Sequence, residues 1–176
     1  MMDTKLGSIV AFDTPLGVCA VRWTDEGIAS VRLPSAGTAS LPRLADSPDL
    51  PDAIKAAIDG IVAVMGGAPL DLRFVDLDEE GIDPFRREVY AATRAIPPGS
   101  TVTYGEIARE IGRPDGARDV GAALASNPFP IVVPCHRVVG ANGKLTGFSA
   151  PGGLATKRRM LEFEGTPGYG QQTLFG

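Results

Sequence analysis

The chain is poor in the residues that build most metal and redox sites. Its 176 residues include two cysteines, Cys19 and Cys135, and one histidine, His136. Two thiols so far apart in sequence do not make a disulfide scaffold, and such usage fits a reducing cytoplasm. One imidazole and two distant thiols cannot close a zinc site without unrelated carboxylates. No metal and no other cofactor is therefore expected. No apolar run is long enough to span a bilayer, and the N-terminus lacks a signal peptide's basic start and apolar stretch, so no membrane role is expected. Aromatic residues make up only 6% of the chain, yet hydrophobic content of 44% suffices for an ordinary soluble core. The length suits one large domain or two small ones.

Net charge is also modest, at −4, but it hides an asymmetry. Residues 1–83 carry six Lys/Arg against fourteen Asp/Glu, a balance of −8; residues 84–176 carry eleven against seven, a balance of +4. A mildly basic half suits a phosphate backbone, and an acidic half would repel it. Two ordinary solvated surfaces give the same numbers.

The patterning predicts an α+β protein. Ser8–Asp13, Val18–Trp23 and Ile28–Leu33 read as strands separated by the turns Thr14–Gly17 and Thr24–Gly27, an antiparallel meander with Cys19 packed inside it. Residues 34–50 read as a loop. Asp52 to Met65 places Ile54, Ala57, Ile58, Ile61 and Val62 at helical spacing, ended by Gly66-Gly67. Leu70–Val75 reads as a further strand and the acidic run Asp76–Asp83 as a linker. The expected organisation is an N-terminal structural α/β domain over 1–80, a mostly helical domain over 84–170, and a tail over 171–176. The second domain opens with a helix at Phe85–Thr93, stopped by Pro97-Pro98-Gly99. A short helix from Tyr104 to Ile111 follows, with Thr103 as N-cap and Glu106 completing a capping box. A turn over 112–116 leads to a helix from Ala117 to Ser126, whose inner face is Ala117, Val120, Gly121 and Leu124. Two short helices around a tight turn suggest a helix-turn-helix, although most such pairs are only core packing. A last helix is expected at Leu154–Phe163.

The stretch Ile131–Val139 concentrates the chemistry. An apolar, β-branched run, Ile131-Val132-Val133, reads as a buried strand stopped at Pro134, which lacks a backbone donor. Cys135, His136 and Arg137 follow. A thiolate is a strong nucleophile, and a neighbouring base makes it available near neutral pH. His136 could accept the proton if a carboxylate held its far nitrogen. Successive side chains on an extended chain point to opposite faces, so the pair works only if the chain turns after Pro134 or a water bridges the two. From this stretch alone, a buried structural cysteine beside a hydrogen-bonded histidine is the simpler reading.

The wider pattern shifts that balance. The motifs are Thr103-Tyr104-Gly105-Glu106-Ile107-Ala108, Gly116-Ala117-Arg118-Asp119-Val120-Gly121, Asn127-Pro128, Pro134-Cys135-His136-Arg137-Val138, and Gly152-Gly153-Leu154-Ala155-Thr156-Lys157 ahead of Leu161 and Glu164. In this order they resemble the O6-alkylguanine-DNA alkyltransferases, closely over Phe85–Gly165 and only in outline before that. The resemblance implies a protein that binds double-stranded DNA containing O6-alkylguanine and acts on it, with O4-alkylthymine left open as a second substrate. It rotates the damaged base out of the stack and moves the alkyl group to its own cysteine, once. Cys135 matches the nucleophile, His136 the base and Glu164 the carboxylate that orients it. Asn127 matches an asparagine that braces the site. Arg118 matches the arginine that replaces the rotated base in the minor groove, and Tyr104 the tyrosine that assists rotation and donates to the base. Gly116, Ala117 and Arg113 would lie against the DNA backbone. Phe148, Ser149, Val138, Pro130 and Lys157 are expected around the base pocket. Some relatives bind zinc in the first half, and the ligands are lacking here. Asp119 stands where relatives commonly have a small apolar residue; it could repel phosphate, or pair with Arg118 or Arg113. Phe148 replaces a frequent tyrosine, and Phe148–Gly152 is longer than in many relatives.

Two other classes fit parts of this pattern. A catalytically inert alkyltransferase-like binder would lack the cysteine, which is present. A helix-turn-helix regulator would need sequence preference and usually a dimer, whereas a monomer is expected here. The tail Gln171-Gln172-Thr173-Leu174-Phe175 is similar to peptides that dock on a bacterial sliding clamp, but a disordered end, or one folded back on the domain, is the simpler reading.

Overall fold

The computed structural model describes residues 8–170; the clamp-like tail lies outside them. Strands β1 (Ser8–Thr14), β2 (Gly17–Thr24) and β3 (Gly27–Arg32) form the expected antiparallel meander in the order β1-β2-β3. Phe12 lies opposite Cys19 and Val10 opposite Val21. Helix α1 (Asp52–Met65) covers this sheet, burying Ile54, Ala57, Ile58, Ile61, Val64 and Met65. The second half contributes α2 (Pro84–Arg94), α3 (Tyr104–Glu110), α4 (Ala117–Ala125) and α5 (Gly153–Phe163). A two-residue strand, β4 (Val102–Thr103), pairs in parallel with β5 (Val138–Val139). One apolar cluster runs from Val10 and Phe12 through Ile58 and Ile61 to Val89, Phe129 and Met160. No helix among the described residues is long and apolar enough to cross a membrane.

Two expected strands are turns instead. At Leu70–Val75 the carbonyls that a ladder would use are taken by a guanidinium: Arg94 Nη2 donates to Leu72 O and Val75 O, each at 2.8 Å. Leu72 and Val75 are buried, so the apolar pattern reports burial and not strand geometry. The neighbouring acidic run is tied down and not a free linker. Ile28 N–H donates to Asp76 O at 2.9 Å, and Asp78 N–H to Ile28 O at 2.7 Å, so one bridge at Leu77 extends the edge of β3. Ile131-Val132-Val133 is the second exception. Ile131 has φ of +74°, a left-handed conformation that a β-branched residue adopts at a cost of about 1–3 kcal/mol. Val133 N–H closes the turn onto Phe129 O at 2.7 Å.

Local rules set the helix pair at the other face of the site. Thr103 Oγ1 accepts from Glu106 N–H at 3.1 Å, and Glu106 Oε2 accepts from Thr103 N–H at 2.7 Å, a complete capping box. The turn after α3 closes with Arg113 N–H on Ala108 O at 2.8 Å. A Cβ at Gly116 would sit 3.0 Å from Arg113 O, so a side chain there would crowd the tight reversal before α4. Thr103→Ala should lower stability by about 1 kcal/mol through loss of the cap, read from the midpoint of urea denaturation.

Candidate active site

Cys135 owes its position to an asparagine and a turn. Asn127 Oδ1 accepts from Phe129 N–H at 2.8 Å, and its Nδ2 donates to Val133 O at 2.9 Å, so one amide spans the Phe129–Val133 turn. Pro134 follows, and Cys135–Arg137 forms a short 3-10 turn. The chain therefore does turn after Pro134, and consecutive side chains leave the turn in different directions.

Behind the sulfur lies a buried charged cluster. His136 is fully buried, and its Nε2 donates to Glu164 Oε1 at 2.6 Å. Arg137 Nε donates to both Glu164 oxygens at 3.1 Å, Arg137 Nη2 pairs with Oε2, and Nη1 donates to Ile96 O at 2.7 Å. Burial alone would push the Glu164 carboxyl up. Its contacts with His136 and Arg137 outweigh it and hold the group at about 2. Burial pushes the His136 imidazolium the other way, against the pull of Glu164, so the ring is neutral. With Nε2–H given to Glu164, the lone pair is at Nδ1, which has no hydrogen-bond partner among the described residues. Burial also raises the Cys135 thiol above its ordinary value, opposed by a hydrogen bond from Asn127 and the charge of Lys157. A protonated thiol and a neutral imidazole with a fixed tautomer form an acid and base pair waiting for a trigger.

Cys135 lies at a cavity of about 340 Å³, together with Tyr104, Asn127, Pro130, Phe148 and Ser149. Val138 and Lys157, expected on its walls, are fully buried and do not line it. Lys157 is instead a tether. Its Nζ donates to Val138 O at 2.7 Å, Thr146 O at 3.1 Å and Tyr104 Oη at 3.4 Å. Burial pushes its ammonium down to about 8, against the pull of Cys135. Tyr104 Oη donates to Thr146 O at 3.1 Å, and Ser149 Oγ to Ala125 O at 2.7 Å, so the loop after β5 is fastened to both α3 and α4. A further clasp comes from Tyr169, whose hydroxyl donates to Gly143 O at 2.5 Å. Nothing in the sequence pointed to Tyr169 or to the Arg137 fork, because each meets its partner through tertiary packing with no local spacing rule.

Arg118 and Asp119 are exposed in the first turn of α4. Asp119 joins none of the ion pairs among the described residues, so of the two alternatives the pairing with Arg118 or Arg113 does not form. Arg113 lies over the Phe85 ring at 5.0 Å.

The model of the 6-O-methylguanine DNA methyltransferase DNA-binding domain matches residues 84–166. The methylated-DNA–protein-cysteine methyltransferase of Mycobacterium bovis is 46% identical over 129 residues, covering 73% of this chain and 75% of that protein. The chain belongs to the 6-O-methylguanine DNA methyltransferase family. Solved members of this methyltransferase family share its architecture. The structure of Mycobacterium tuberculosis OGT in complex with DNA superposes with a TM-score of 0.71 at 37% identity, covering 89% of this chain and 92% of that one. The O6-methylguanine-DNA methyltransferase of the archaeon Pyrococcus kodakaraensis gives 0.68 at 25% identity, covering 90% and 100%.

Proposed function

We propose that this protein repairs DNA directly, transferring the alkyl group of O6-alkylguanine in duplex DNA to Cys135. The observation that carries this reading is a cysteine at a cavity with room for a purine, backed by a buried His136–Glu164 pair. The helix pair α3 and α4 would bind the duplex, with Arg118 filling the gap left by the rotated base and Gly116, Ala117 and Arg113 against the backbone. Rotation costs a few kcal/mol, less for a poorly paired base. One chain carries every group needed, so a single copy suffices.

In the chemical step, Glu164 holds the imidazole and Nδ1 of His136 takes the thiol proton through a bridging water. The thiolate attacks the alkyl carbon. A C–S bond forms, the C–O6 bond breaks, and the electron pair stays on the guanine. Tyr104 supports that charge, exchanging the Thr146 carbonyl for the base as its acceptor. Asn127 keeps the sulfur in line. The thioether has no good leaving group, so each molecule acts once.

Incubation with duplex DNA containing O6-methylguanine should add one methyl group, about 14 Da, to the peptide carrying Cys135. Mass spectrometry reads this directly. An unmodified Cys135 under excess substrate, with the duplex bound, would identify an inert binder instead.

A further inference from the structure

The cavity beside Cys135 is not closed by the second half of the chain alone. Val31, Arg32, Leu33 and Ser35, from the end of β3 and the turn after it, form its remaining wall. This wall is held in register with the site. Val31 N–H donates to Pro128 O at 2.8 Å, one residue beyond the Asn127 brace. Val31 and Leu33 are buried and present carbon; Arg32 and Ser35 are exposed. Across the cavity stand Phe148, Ala150 and Pro151, and no carboxylate lines it. Arg32 joins none of the ion pairs among the described residues. Cavities of ~300–1,000 Å³ hold drug-sized ligands, and this one, at about 340 Å³, exceeds the needs of a purine bearing one carbon. A substituent larger than methyl needs room beside the sulfur, and the end of β3 forms one wall of the cavity that supplies it.

We propose that Arg32 and Ser35 are specificity-determining residues for bulky apolar O6 substituents. An arylmethyl group would pack between the end of β3 and the Phe148–Pro151 segment, with the Arg32 guanidinium against its ring. The inference rests on the alkyl-transfer reading above. The chemistry is unchanged: the C–S bond forms at the benzylic carbon, and the C–O6 bond breaks with its electron pair left on guanine.

The test uses the full chain and two duplexes that differ only in O6-methylguanine or O6-benzylguanine, with single-turnover rates for each. The wild type should transfer both groups. Ser35 hydrogen-bonds to Thr38 only through its backbone, so Ser35→Trp alters the wall and not the turn. Ser35→Trp should slow benzyl transfer about tenfold or more while methyl transfer stays within about twofold. Arg32→Ala should also slow benzyl transfer selectively. Both duplexes offer the same phosphates, so equal slowing of the two substrates would mean a backbone contact or misfolding and would overturn the proposal. Unchanged rates in both variants would overturn it too. A wild type that transfers methyl but not benzyl ends this inference and leaves the repair function standing; a wild type that transfers neither ends both.

Discussion

Cys135→Ser should bind duplex DNA containing O6-methylguanine as the wild type does and fail to take up the methyl group. The two side chains are nearly the same size, so the turn spanned by Asn127 and the cavity beside it are kept. What changes is the nucleophile. A hydroxyl is far harder to deprotonate than a thiol, and its oxygen attacks a saturated carbon far less readily than a thiolate sulfur does. Burial already raises the thiol above its ordinary value, so the native site works with little acidity to spare. The expected loss is on the order of 10⁴–10⁶-fold in transfer rate, the range found when a nucleophile is deleted and binding is kept. Gel shifts measure the binding, and intact-protein mass spectrometry the transfer. Residual methylation elsewhere on the chain, or full methylation of the serine variant, would remove Cys135 from its role.

Glu164→Gln should be the most destabilising single substitution in the site. The wild-type carboxylate answers two buried groups at once, the Arg137 fork and the His136 N–H. An amide leaves Arg137 as a buried cation without a counter-charge, and breaking such a pair costs about 3–5 kcal/mol. For a chain of this size that is a fall on the order of 10 °C in Tm, measurable by calorimetry. Transfer by the folded fraction should drop on the order of 10²–10⁴-fold, because the imidazole tautomer is no longer fixed. Acid gives an independent reading. The folded carboxyl sits at about 2, below its ordinary value of 4.5, so the native state refuses a proton that the unfolded chain accepts. Its stabilising contribution is therefore complete above 4.5 and is lost as pH falls toward 2. The gap in stability between wild type and Glu164→Gln should narrow across that window. A constant gap would show that the carboxylate is not what the cluster depends on.

These expectations draw on residues whose legibility in the sequence differed. The meander, α1 and the capping box at Thr103 and Glu106 were readable because they obey short-range rules of alternation, helical spacing and side-chain capping. The motif around Cys135 and its likeness to a known family pointed to the nucleophile, to His136 and to Glu164, 28 residues further on. Ile131-Val132-Val133 misled because β-branched carbon marks burial as readily as strand, and the left-handed Ile131 depends on Asn127 holding the turn. The role of Lys157 is hidden in the sequence, because its carbonyl partners, Val138 O and Thr146 O, carry no signature in side-chain type. The contribution of β3 to the cavity was invisible for a related reason. It arises from one backbone hydrogen bond between Val31 and Pro128, which any two residues other than a proline donor could make.

Asn127 also bears on shelf life. A molecule spent after one reaction must wait intact until damage arrives, and asparagines age by ring closure, in which the next residue's backbone nitrogen attacks the side-chain amide. Here the next residue is Pro128, whose nitrogen carries no hydrogen and cannot begin that attack. The amide that keeps the sulfur aimed is thus shielded from the commonest route of chemical decay by the neighbour that follows it.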